Sequence, residues 1–254
     1  MRPWTVALFV GYLTAVAGWI AASRVAPDLW RPRELPPFRR PWLEVALALL
    51  AVVGVLSLGQ LWVRGIRLPA AGSLAPFVES LNQLLIFSPI LLLPRLRGQS
   101  YETALVRKDR VFIRIGIGVA LAAIALAAHV GVRRLMGDGV RLMPRVLLLE
   151  NLDEAFQVLF EDVAVAILLV RLAAAVGTRP AVVAAASLFA AGHIPSMVAR
   201  GASLSELIAL VRDVTLGLVV LGTVLRSRDV LWFWPVHVTM DLTQFARVMG
   251  TEAH

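Results

Sequence analysis

The chain has 254 residues, 59% of them hydrophobic, and a mean hydropathy of +0.78, against roughly 45–50% apolar content in ordinary soluble domains. Its apolar runs approach the ~20 residues a helix needs to cross a bilayer, which excludes a soluble globular enzyme; short alternating segments of the β-barrel kind are absent. The net charge of +8 comes from arginines lying between the apolar runs, a pattern that fits a lipid surface and excludes nucleic acid as the partner, while the lack of cysteine rules out disulfides and thiolate chemistry.

The predicted fold is all-α, a polytopic transmembrane bundle of about eight membrane helices, because lipid offers no partner to amides left outside a helix. The first span covers Trp4 to Ser23. It resembles a signal sequence at Ala21-Ala22-Ser23, but its apolar run is too long for a cleaved segment and reads as a retained span. Prolines and arginines in RVAPDLWRPRELPPFRRP then interrupt the pattern. The second span, Trp42 to Val63, stops at Arg64. The third, Phe77 to Leu93, carries Glu79, Asn82 and Gln83 on one face, expected to bind neighbouring helices. The fourth covers Val111 to Val132, with His129 expected at its interfacial end.

The second half is richer in polar residues at membrane depth. Glu150, Asp153, Glu154 and Gln157 form an acidic stripe, expected to lie at the interface before the fifth span begins near Ala155. The sixth span, Pro180 to Val198, holds Phe189 and His193. The seventh, Leu204 to Leu225, holds Arg212 and Asp213. The eighth, Val230 to Met249, holds His237 and Asp241. Trp30, Trp42, Trp232 and Trp234 read as interfacial anchors, and His254 as a free terminus. Arginines in the loop after the first span place the N-terminus outside. Residues 1–145 form the N-terminal helices and 146–254 the helices that carry the chemistry, within one bundle.

Buried ionisable side chains in a membrane span are expensive and mark function more often than chance. Glu161 and Asp162 lie in FEDVAVAILLV, His193 in SLFAAGHIP, and His237 and Asp241 in LWFWPVHVTMD. Phe189 with His193, and His237 with Asp241, are each four residues apart and so share one helix face. Taken singly, such histidines are more often structural than catalytic. Together they are the acids and imidazoles that hydrolysis requires.

An acidic pair, then F-x-x-x-H, then H-x-x-x-D, each in its own span, resembles the CPBP family of intramembrane proteases, with motifs E-E-x-x-x-R, F-x-x-x-H and H-x-x-x-N or D. That family includes CAAX prenyl endopeptidases and bacteriocin-processing and immunity proteins. The resemblance covers roughly Asn151 to Met249, including the lead-in GLVVLGTVLRSRDVLWFWPVH. It implies an intramembrane endopeptidase in which Glu161 and His193 activate water. His237 and Asp241 would stabilise the oxyanion or, with Glu161 and His193, bind a divalent metal such as zinc. Asp162 matches the second acid and Phe189 the second-motif aromatic. The arginine position holds Ala166, Arg171 points elsewhere, and Arg212 is expected to supply the missing charge to Asp162. Because an ionised aspartate only accepts hydrogen bonds, Asp241 must be protonated, orient His237 or ligate a metal. Expected partners are the bilayer and a membrane-associated peptide, in a prokaryotic cell membrane. A catalytically silent binding or immunity homologue, and a small proton-coupled transporter, are the competing readings.

Overall fold

The computed structural model describes residues 3–30, 34, 37–137, 151–199 and 201–251; Glu150 and His254, singled out in the sequence, and Arg31 and Arg33 of the loop after the first span lie outside the described residues. The long helices are α1 (Pro3–Val25), α2 (Pro41–Val63), α3 (Ala75–Leu96), α4 (Val111–Leu135), α5 (Leu152–Val176), α6 (Thr178–Gly192), α8 (Leu204–Ser227) and α9 (Phe233–Thr251); a short α7 (Ile194–Ala199) follows α6. There is no strand among the described residues. Six segments are long and apolar enough to cross a membrane: Trp4–Val25, Pro41–Val63, Gly72–Leu96, Val111–Leu135, Thr178–Ala199 and Leu204–Ser227. The other two long helices, α5 and α9, carry Glu161, Asp162, His237 and Asp241.

α5 is the centre of the bundle, touching α2, α3, α6 and α9. Every residue from Ala166 to Ala173 is buried, as expected of a helix covered on all sides. α1 packs on α4, and α9 lies against α4 and α5. Small residues allow these helices to approach closely: a Cβ at Gly118 would collide with the Trp232 carbonyl. The acidic stretch before Ala155 is not a separate interfacial segment. Asp153 and Glu154 sit in the first turn of α5 itself, half-buried.

Two aromatic expectations change. Trp30 and Trp232 are buried rather than interfacial; Trp19 stacks on Trp232 with centroids 5.6 Å apart and meets Trp30 edge-on at 6.2 Å. Trp42 is exposed, and Trp234 donates to the Ala155 carbonyl at 2.8 Å. His129 is also buried, at the α1–α4 contact beside Gly11. Asn82 binds the loop before α3 rather than a neighbouring helix, and Glu79 reaches both: Asn82 Oδ1 accepts from Leu68 N at 2.9 Å, and Glu79 accepts from Arg67 of the loop and Trp62 of α2.

The entry to α9 is fixed by a buried ion pair. Arg114 and Asp229 are both fully buried, 2.7 Å apart. Arg114 also donates to the carbonyls of Leu29 and Asp109 and to the Asp109 carboxylate. Asp229 Oδ1 accepts from Leu231 N at 2.9 Å, and Val230 N donates to the Leu105 carbonyl at 3.1 Å. Three connections, α1–α2, α3–α4 and α8–α9, are thereby held at one end of the bundle, and α9 starts from a defined point.

A candidate active site between α5, α6 and α9

α5 supplies Glu161 and Asp162, on adjacent positions of its more polar first half. α6 supplies Phe189, and His193 caps its C-terminus, where the chain breaks before α7. α9 supplies His237, one turn after Phe233, and Asp241 one turn later. All six side chains except Phe189 are ionisable, and all six line one cavity of about 1010 Å³. α1 and α8 close its other walls with Thr5, Tyr12, Arg212 and Asp213 among others.

His237 is the best-held of these groups. Its Nδ1 lies 2.8 Å from Asp162 Oδ1, and its Nε2 lies 3.6 Å from Asp241 Oδ2. Its ring stacks on Phe233 with centroids 5.2 Å apart and meets Phe189 edge-on at 6.4 Å. Two carboxylates and two aromatic rings therefore fix one imidazole. His193 is exposed to the cavity side, with Nδ1 2.9 Å from the Phe189 carbonyl and its ring edge-on to Phe189 at 4.9 Å. Phe189 thus contacts both histidines, which explains an aromatic at that position.

The Glu161 carboxylate accepts from Gln157 Nε2 at 3.1 Å, its one hydrogen-bond partner among the described residues. Gln157, read from the sequence as part of a solvated stripe, therefore belongs to the site. Asp241 Oδ1 accepts from Gln244 at 3.2 Å. Its Oδ2 faces His237 Nε2 at 3.6 Å, beyond hydrogen-bond length.

Arg212 does not pair with Asp162. Its Nη1 reaches Thr5 Oγ1 at 3.3 Å and its Nε the Ala209 carbonyl, so it ties α8 to α1. The partner of Asp162 is His237. Asp162 Oδ2 is buried without a hydrogen bond among the described residues, four positions before the buried Ala166, where the resemblance places an arginine. Arg171 is fully buried and joined to Gln99 and Glu44 instead.

Among the described residues no three histidine, aspartate or glutamate side chains converge closely enough to hold a metal ion. Tyr12 is the wall residue that the sequence did not single out. It is one of only two tyrosines in the chain, its ring lies 6.3 Å from that of His237, and a hydroxyl in mid-span was the available signal. Compared with protein-family models, curated proteins and solved structures, the chain matches none.

Proposed function

We propose that the chain is an intramembrane endopeptidase of the CPBP type, cutting a peptide bond of a membrane-associated substrate in a prokaryotic cell membrane. The observation that carries the reading is the meeting of Glu161, His193, His237 and Asp241, from three helices, in one cavity. About eight helices cross the bilayer in this reading, α5 and α9 among them.

Hydrolysis requires a base for water, a donor for the developing oxyanion and a proton for the leaving nitrogen. Glu161, with His193 on the same cavity, takes a proton as the water oxygen bonds to the scissile carbonyl carbon. His237, protonated on both ring nitrogens, donates from Nδ1 to Asp162 and from Nε2 to the developing oxyanion. The Tyr12 hydroxyl is a second donor on the cavity wall, a role that Asp241 cannot fill when ionised. The C–N bond then breaks, and the proton held by Glu161 passes to the leaving amine. Asp162 and Asp241 act through His237, as positioning residues.

The test compares the membrane proteomes of cells carrying wild-type protein and Glu161→Gln, which preserves shape but removes the base. New protein termini that depend on Glu161 are expected, with turnover on the substrate so found lowered by about 10²–10⁴. Identical termini in both cells at equal expression would leave the catalytically silent reading in its place.

A further inference from the structure

A second cavity, of about 620 Å³, lies at the end of the bundle where the α1–α2 and α3–α4 connections meet. Phe38, Arg39, Arg40, Glu44, Arg97 and Gln99 line it. Beneath it Arg171, fully buried, donates to Gln99 Oε1 at 2.5 Å and to the Ile167 carbonyl at 3.0 Å. Its Nε lies 3.5 Å from Glu44 Oε2, and its guanidinium sits over the Phe38 ring at 5.3 Å.

Charge in this cavity does not balance. Glu44 is buried, and Arg97 approaches its Oε1 with both Nε and Nη2 at 3.0 Å. One carboxylate therefore faces two guanidinium groups, Arg97 and Arg171. Arg39 and Arg40, on the exposed rim, have no carboxylate partner among the described residues. The 23-residue α2 begins at Pro41, directly after them, and adds the partial positive charge of its N-terminus. The buried Arg171 and Glu44 balance each other, so the surplus lies on the exposed Arg97, Arg39 and Arg40 around the cavity, where an anion would complete it.

We propose that this cavity binds a phosphate ester anion, gripped by Arg39, Arg40 and Arg97 over the floor of Arg171 and Glu44. Guanidinium forks match phosphate oxygens in pairs, which suits this residue choice better than lysine would. The position at a bundle end suits a lipid headgroup, and a soluble phosphate carries the same chemistry. The site is separate from the cavity of Glu161 and does not depend on the protease reading.

The test uses the full chain in nanodiscs of phosphatidylcholine alone, with added phosphatidylglycerol, or with inorganic phosphate in the buffer. Lipid retention is read by native mass spectrometry and the unfolding midpoint by thermal melt. Wild-type protein is expected to retain phosphatidylglycerol saturably and to melt higher with it. Arg39→Gln with Arg40→Gln should weaken retention by about fivefold per arginine, about 25-fold for the pair. Arg64→Gln with Arg134→Gln, an equal charge change elsewhere, should leave it unchanged. Protection by inorganic phosphate in phosphatidylcholine discs, lost in the Arg39/Arg40 variant, would name the soluble anion as occupant. Retention unaltered in that variant, or weakened equally in the control, overturns the site.

Discussion

At the scale of single residues, the arrangement turns on His237. An imidazole between Asp162 at 2.8 Å and Asp241 at 3.6 Å has a carboxylate beside each ring nitrogen, with Nε2 on the side of the cavity that Asp241 also lines. Asp162→Asn keeps the size of the side chain and an acceptor oxygen but removes the carboxylate charge beside Nδ1, so the doubly protonated ring that donates from both nitrogens loses its support. Turnover on an identified substrate should fall by about 10²–10⁴ with KM little changed and the melting temperature preserved. A loss confined to KM would show that Asp162 serves binding instead. Spacing of four on a helix puts Phe189 with His193 and His237 with Asp241 on shared faces, while Glu161 is marked only by its depth in an apolar run. The sequence misassigned the partner of Asp162. Depth along a span says how far Arg212 lies from a membrane surface, but not which way its side chain turns, and it turns to Thr5.

At the scale of the elements, the active groups depend on where α9 begins, and a buried ion pair sets that point. Removing one member of such a pair leaves an uncompensated charge. Arg114→Met should therefore destabilise the protein by about 3–5 kcal/mol, read as a lower melting temperature in detergent. Arg114→Met with Asp229→Leu should recover most of the loss, since both charges are then gone; no recovery would mean that the bonds to Leu29 and Asp109 dominate. This element was poorly legible. Val230 to Trp232 read as the start of a span from their hydropathy, yet the helix begins at Phe233, and Trp232 is buried against Trp19 because α1 lies across it. Trp30 is misread for the same reason: amphipathic side chains favour the interface only where no neighbour covers them.

The same ion-pair cluster carries a pH dependence. Partial burial alone would raise the Asp109 carboxyl, but hydrogen bonds from Arg107 and Arg114 hold it at about 2, below its ordinary 3.8. A folded-state value below the unfolded one, about 3.9, contributes stability that is present above pH ~4 and lost as pH falls toward 2. Asp109 is more than a third exposed, so solvent screening keeps the effect small. Melting curves of wild type and Asp109→Asn should differ most near neutral pH and converge by pH ~2. A constant difference between the two across that range would assign the effect to packing.

At the scale of the whole molecule, the two ends of the bundle differ in charge. Contacts between loops bring the α1–α2, α3–α4 and α8–α9 connections together around Arg114, and Thr178 and Arg179 join Arg226 and Arg228 at a shared cavity. That end holds Arg39, Arg40, Arg97, Arg107, Lys108, Arg110, Arg179, Arg226 and Arg228. Among the described residues the α2–α3 connection and the end of α4 hold Arg64, Arg67, Arg133 and Arg134. Cationic loops stay on the cytoplasmic side, so the arginine-rich end should face the cytoplasm and the N-terminus the opposite side. The candidate active site then lies in the outer half: His193 ends α6, and Trp4 and Thr5, near the start of α1, line the same cavity. With no native cysteine, single replacements can report the arrangement directly. Glu102→Cys, between α3 and α4, should be protected in intact cells from a membrane-impermeant maleimide and labelled only after permeabilisation. Ala70→Cys, between α2 and α3, should be labelled in both. The reverse pattern would invert the chain and move Glu161 to the cytoplasmic half, so that any cleavage product would have to be sought on that side instead.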